Sequence, residues 1–258
     1  MLLAGVAVAI SSKANANVRA PLVEAQSPSS AVRALSAATA LQVLGETLAF
    51  RCGERDCDVD ARYRVLASAS TTAELAFILP SPTPIAVRVG SATSTVAVTP
   101  APPELLRTDN SISFETQHLN LNKTPIFQAR FPATFVAGEN TIVVTYRQPL
   151  GRREYDHGYF SKGRWVQFFR YELWPLSEWT HAPGFRIDVT TTIRRPPPSW
   201  WKRTFSKVHS VGCHTDEHTG LAQLKQKGDD LLLALQLSDP LPQRLWCEIG
   251  DEDLVSRH

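Results

Sequence analysis

Nowhere in the sequence do eighteen apolar residues run consecutively, so no membrane-spanning helix is expected. Three catalytic or nucleotide-binding signatures are also missing: the G-x-S-x-G nucleophile elbow, the Walker loop and the dinucleotide fingerprint. Their absence excludes the enzyme classes those motifs define. Charge of one sign is scarce, the net value being +2 over 258 residues. A polyanion binder carries far more, so nucleic acid is not an expected partner. There are only four cysteines, and no two of them are spaced C-x2-C as a zinc ribbon or finger requires.

What is present begins with an apolar run, Met1-Leu2-Leu3-Ala4-Gly5-Val6-Ala7-Val8-Ala9-Ile10. It is too short to span a bilayer and long enough for the core of a signal peptide. Small residues follow and end in Ala14-Asn15-Ala16, an A-x-A cleavage pattern, although no Lys or Arg precedes the run. Residues 1–16 are therefore expected to be a signal peptide, and the protein periplasmic or secreted. Residues 17–40, rich in Ala, Ser and Pro, are expected to form a leader or a short docking helix; Ala31 to Leu44 has helix-forming composition.

The cysteines suit an oxidising compartment. Cys52 and Cys57 bracket the polar loop Cys-Gly-Glu-Arg-Asp-Cys between two strand-like runs, where a disulfide would pin a hairpin end. Cys213 and Cys247 both lie in the last fifth of the chain. Four cysteines allow three pairings, and proximity favours 52–57 with 213–247.

From Leu41 onward the hydrophobic period is two. In Cys57 to Val65, Val59, Ala61, Tyr63 and Val65 share one face, and Asp58, Asp60, Arg62 and Arg64 the other. That is a half-buried strand, apolar side inward. The run Leu48 to Cys52 would pair with it. Ala73 to Leu79, Ile85 to Val89, Thr93 to Thr99, Ile112 to Thr116 and Ile126 to Phe131 read as further strands. Pro100 to Pro103 should end the third of these, since proline donates nothing to a ladder. In Phe135 to Tyr146, Gly138 and Asn140 make a turn, and Ile142, Val144 and Tyr146 then point one way.

This last pattern, apolar-x-x-Gly-x-Asn-x-apolar-x-apolar-x-Tyr, resembles the last hairpin of many secreted immunoglobulin-like sandwiches. Beyond residue 150 the composition changes, and all six tryptophans lie there. Pro149-Leu150-Gly151-Arg152-Arg153 reads as a junction. Trp165 to Leu173, Phe185 to Ile193, Leu231 to Leu237 and Leu245 to Ile249 read as a second set of strands. With Tyr171, Leu173 and Trp179 opening its second part, the chain resembles bacterial exported β-sandwich proteins of unknown function, a resemblance that implies no activity. The expected fold is all-β: an immunoglobulin-like sandwich of two closely packed β units, 41–150 and 151–258.

Two segments are candidates for function. His209-Ser210-Val211-Gly212-Cys213-His214-Thr215-Asp216-Glu217-His218 gathers three of the seven histidines in what reads as a polar loop. His209, His214, His218 and Asp216 are ligand types for zinc or copper, but their spacing matches no zinc signature. Cys213 is lost as a ligand if oxidised. The second segment holds Arg194, Arg195, Trp200, Trp201, Lys202 and Arg203, four cations flanking three prolines and a tryptophan pair. Prolines favour an extended chain, and tryptophans beside cations suit a protein interface or an anionic envelope polymer. Residues 151–209 carry net +6 and residues 210–258 net −5, so these parts could also attract each other within the fold. Carboxylate pairs such as Glu154 with Asp156, or Glu172 with Glu178, are too ordinary to mark catalysis. The reading is a non-catalytic exported envelope protein that needs no cofactor and binds another protein or an envelope polymer through its β surfaces. The alternative is a metal-binding protein or metal-dependent enzyme built on residues 209–218.

Overall fold

A computed structural model describes residues 31–34, 40–79, 81–100, 127–156, 164–194, 209–215, 223–227 and 230–255. These residues form an all-β sandwich. Its main layer is a large sheet ordered β15 (Gln223–Lys227), β16 (Asp230–Ser238), β13 (Arg186–Ile193), β2 (Leu41–Cys52), β3 (Asp56–Ala67), β9 (Gly138–Pro149), β5 (Ile85–Val89) and β6 (Ala92–Val96). A short strand, β12 (Thr180–His181), also pairs with β2. One face of this sheet is covered by two four-stranded sheets. The first is β1 (Ala31–Ala34), β4 (Thr71–Leu79), β8 (Phe127–Phe135) and β7 (Thr99–Pro100). The second is β10 (Gly151–Asp156), β11 (Arg164–Glu172), β17 (Arg244–Asp251) and β14 (His209–Thr215). Two single-turn helices, α1 (Trp174–Ser177) and α2 (Glu252–Val255), complete the described elements.

The core follows from strand parity. Val59, Ala61, Tyr63 and Val65 are buried on the inner face of β3, and Asp58, Arg62 and Arg64 are exposed on the outer. Inward residues of all three sheets join one apolar cluster. Phe77 meets Tyr146 edge-on at 5.1 Å between ring centroids, tying the first small sheet to the large one. Phe50 meets Phe169 at 4.3 Å and does the same for the second. Both disulfides, Cys52–Cys57 and Cys213–Cys247, join register partners on neighbouring strands. Their four cysteines are buried in this core.

Several expectations need correction. Ala31–Ala34 is a strand on β4, and the helix-like composition up to Leu44 gives way to β2, because pairing and burial outweigh intrinsic helix preference. The run Thr93 to Thr99 is broken: Ala92–Val96 and Thr99–Pro100 belong to different sheets, Pro100 sitting on an edge strand as its missing N–H requires. Residue 150 is no sheet boundary. β13 lies parallel to β2, with Val189 beside Leu48, so strands of the second half continue the large sheet of the first. The Gly138 turn has φ of 102°, and Asn140 closes it by donating from Nδ2 to the Val136 and Gly138 carbonyls. Residues 1–30 and Ile112 to Thr116 lie outside the described residues.

Candidate functional site

Two places on the large sheet combine chemistry with position, one on each face. On the inner face, β2 carries a carboxyl group into the core. A bulge between Val43 and Gly45 reverses the parity of the strand, so that Leu41 and Val43 point inward before it and Glu46, Leu48 and Phe50 after it. Gly45 is required there, since a Cβ would lie 2.8 Å from the Arg186 carbonyl oxygen. Glu46 is 3% exposed and faces Tyr63 across the strand pair. From the opposite layer, the Tyr171 hydroxyl donates to Glu46 Oε1 at 2.6 Å and also bonds to the Tyr63 hydroxyl. Glu46 Oε2 has no hydrogen-bond partner among the described residues. Burial pushes the Glu46 carboxyl up to about 7, against the opposing pull of hydrogen bonding from Tyr171 and Tyr63. Burial, reinforced by the nearby Glu46 charge, raises both tyrosines well above their usual range. This cluster clasps the two layers together, with Glu46, Tyr63 and Tyr171 all buried.

On the outer face the charges are laid out in pairs. Arg62 holds Asp60 at 2.7 Å, Arg64 holds Glu139 at 2.7 Å, and Arg147 reaches Asp58 at 3.2 Å. The Arg62 hydrogen bond keeps the Asp60 carboxyl below its ordinary range. At the rim of this face, beside the Cys52–Cys57 bridge, lies a cleft of about 220 Å³. Arg51, Cys52 and Gly53 line it from β2 and the hairpin end, Asp56 and Asp58 from β3, Thr192 and Arg194 from β13 and its continuation, and Asp230 from β16. Arg51 lies beside Thr192 in the sheet, and the Arg194 backbone N–H donates to the Cys52 carbonyl at 3.0 Å. Asp56 and Asp58 are approached by Arg147 from the far side. Arg51 and Arg194 make no ion pair among the described residues.

The structure places only some of the residues singled out by sequence. Cys52, Cys57, Cys213 and Cys247 pair as proximity suggested. Arg194 lines the cleft; Arg195, Trp200, Trp201, Lys202 and Arg203 lie outside the described residues, as do Asp216 and His218. Residues 209–215 are a strand, β14, and not a loop. Val211, Cys213 and Thr215 are buried and Ser210, Gly212 and His214 alternate with them, a period of two that the polar composition obscures. His209 and His214 are five residues apart in an unbroken register, so their positions fall on opposite faces of the sheet. The His214 ring stacks on Trp246 at 5.8 Å, and Cys213 is oxidised. Among the described residues no three His, Cys, Asp or Glu side chains converge as a metal site does. Glu172 pairs with its register partner Arg244 at 2.8 Å, and Glu178 is exposed.

Glu46, and the cleft residues Arg51, Asp56, Asp58 and Asp230, carried no signal in the sequence beyond membership of strands. The cleft exists only because β2 and β13, about 140 residues apart, lie side by side.

No protein-family model matches the chain, and no curated protein matches it. Among solved structures it is similar to a Legionella pneumophila protein provisionally named a nutrient binding protein, with a TM-score of 0.51 and 10% identity over 86% of this chain and 70% of that one. It also aligns with an M1 zinc metallopeptidase of Deinococcus radiodurans at a TM-score of 0.38 and 11% identity, spanning 82% of this chain and 42% of that one. The first likeness concerns the fold alone, and the second is too low to bear on function. No helix among the described residues is long and apolar enough to cross a membrane.

Proposed function

We propose that this chain is a non-catalytic binding protein of an oxidising, extracytoplasmic compartment, engaging another protein or an envelope polymer through its β surfaces. One observation carries the reading. The rim of the large sheet that the Cys52–Cys57 bridge pins is also where Arg51 and Arg194 stand without ion-pair partners among the described residues. At Arg194 the sequence runs on into Arg195, Trp200, Trp201, Lys202 and Arg203, so the two arginines of the rim and a cationic, tryptophan-bearing segment are continuous in sequence. Guanidinium groups and tryptophans are the side chains that most often anchor interfaces. The two disulfides fit an oxidising compartment, where a bridge persists.

The test is retention of a partner from an extracytoplasmic extract on immobilised protein. Arg51→Ala with Arg194→Ala, and separately Trp200→Ala with Trp201→Ala, should each abolish retention with the melting temperature nearly unchanged. Retention equal to wild type in both double variants would contradict the reading.

A further inference from the structure

We infer that the cleft beside the Cys52–Cys57 bridge is a binding site for a zwitterion of amino-acid size, its carboxylate held by Arg51 and Arg194 and its ammonium group by Asp230. The inference rests on the binding role proposed above and names the chemistry it recognises.

Four observations lead there. The first is size. At about 220 Å³ the cleft is smaller than the 300–1,000 Å³ typical of pockets for drug-sized ligands, and it matches a single amino acid or the end of a peptide. The second is the pair of cations. Arg51 lies beside Thr192 in parallel register, and Arg194 follows two residues later on the same face. Two arginine forks on neighbouring chain segments can share one carboxylate. Neither guanidinium is engaged in an ion pair among the described residues, so neither must be released for a ligand.

The third observation is the balance of signs. Two arginines and three aspartates line one small space, and Arg147 compensates Asp56 and Asp58 from outside. A simple anion would gain from the arginines and be repelled by Asp230; a simple cation would meet the reverse. A ligand carrying both charges can meet the arginines and Asp230 together. The fourth is rigidity. One wall is a hairpin end closed by a disulfide, and the other is bonded to it through Arg194 N–H and the Cys52 carbonyl. Such a site loses little freedom on binding.

Gly53 supplies a clean way to test this. It lines the cleft, and a Cβ added there would meet nothing closer than the Asp56 carbonyl oxygen at 3.8 Å, so the backbone accepts a β-carbon at the edge of the space. The experiment is a titration of isotope-labelled protein, followed by backbone amide shifts, with glycine, Ala-Ala, acetate and methylammonium as probes. Glycine or Ala-Ala should give saturable shifts centred on Gly53, Thr192 and Arg194 at millimolar concentration. Acetate and methylammonium should each bind roughly tenfold or more weakly, because each makes only half of the charge-assisted contacts. Gly53→Leu should abolish the shifts, and Arg51→Ala with Arg194→Ala should weaken binding by a similar factor. A preference for glycine points to a free amino acid, and a preference for Ala-Ala to a peptide-bearing partner; both support the site. Acetate binding as well as glycine, or binding that persists in Gly53→Leu, overturns it. No saturable binding by either zwitterion also overturns it, and if partner retention still depends on Arg51 and Arg194, the ligand chemistry falls while the broader binding role stands.

Discussion

The two faces of the large sheet handle charge in opposite ways. On the outer face, Asp60, Arg62, Arg64, Glu139 and Arg147 stand in or near water, and Asp58, Asp60 and Glu139 each have a cation within a side chain's reach. Exposed pairs of this kind contribute little, about 0–1 kcal/mol, and can be exchanged without consequence for the fold. On the inner face a single carboxyl, Glu46, is buried with tyrosine hydroxyls for company. Desolvation decides its behaviour, and the group resists ionisation up to about 7. The difference teaches where each kind of role can sit. Stability is concentrated on the inner face, and among the described residues the outer face carries the arginines without ion pairs, Arg51 and Arg194.

Substitutions can break or sharpen this contrast. The largest effect is expected inside the core. Cys213→Ser with Cys247→Ser opens a crosslink of sequence separation 34, which should cost about 3–4 kcal/mol in the chain-entropy model, read as a lower denaturant midpoint. Next comes the pH dependence of Glu46. Its carboxyl binds a proton more tightly in the folded chain, about 7, than in the unfolded chain, where the ordinary value of 4.5 applies. Between these limits the folded state holds more protons than the unfolded one, so stability falls as pH rises. The contribution is fully present below about 4.5 and lost once pH passes about 7, a change of roughly 3 kcal/mol. Urea midpoints at pH 5 and pH 8 should therefore differ in wild type, and Glu46→Gln should flatten that difference. Tyr171→Phe removes the donor to Glu46 and the partner of Tyr63, at about 1–3 kcal/mol, again by urea unfolding. The smallest effect belongs to the outer face: Arg147→Ala should change stability by no more than about 0.5 kcal/mol. An outer-face variant as costly as Tyr171→Phe would break the comparison.

Much of the fold was readable before any coordinates. β3, β5, β13 and β16 alternate cleanly, because each has one face in the core and one toward water, and period two records that directly. Both disulfides followed from proximity. Other parts were hidden for physical reasons. The bulge at Leu44 reverses parity within β2, so Glu46 read as an ordinary polar position. β14 is built from small and polar residues, and its strand character comes from pairing with β17. The parallel contact of β2 with β13 joins segments about 140 residues apart, and no local pattern encodes it. The cleft depends on that contact, so its residues could not be grouped from sequence, even though Arg194 had drawn notice for its charge.

The binding role of the outer rim is tested most directly by Gly53→Leu. This change adds bulk to the lining of the cleft without altering a charge, and its Cβ would have 3.8 Å to the nearest atom. Partner retention and thermal melting should be measured side by side on wild type and variant. Retention should be lost with the melting temperature unchanged; full retention by the variant would contradict the assignment of function to this rim.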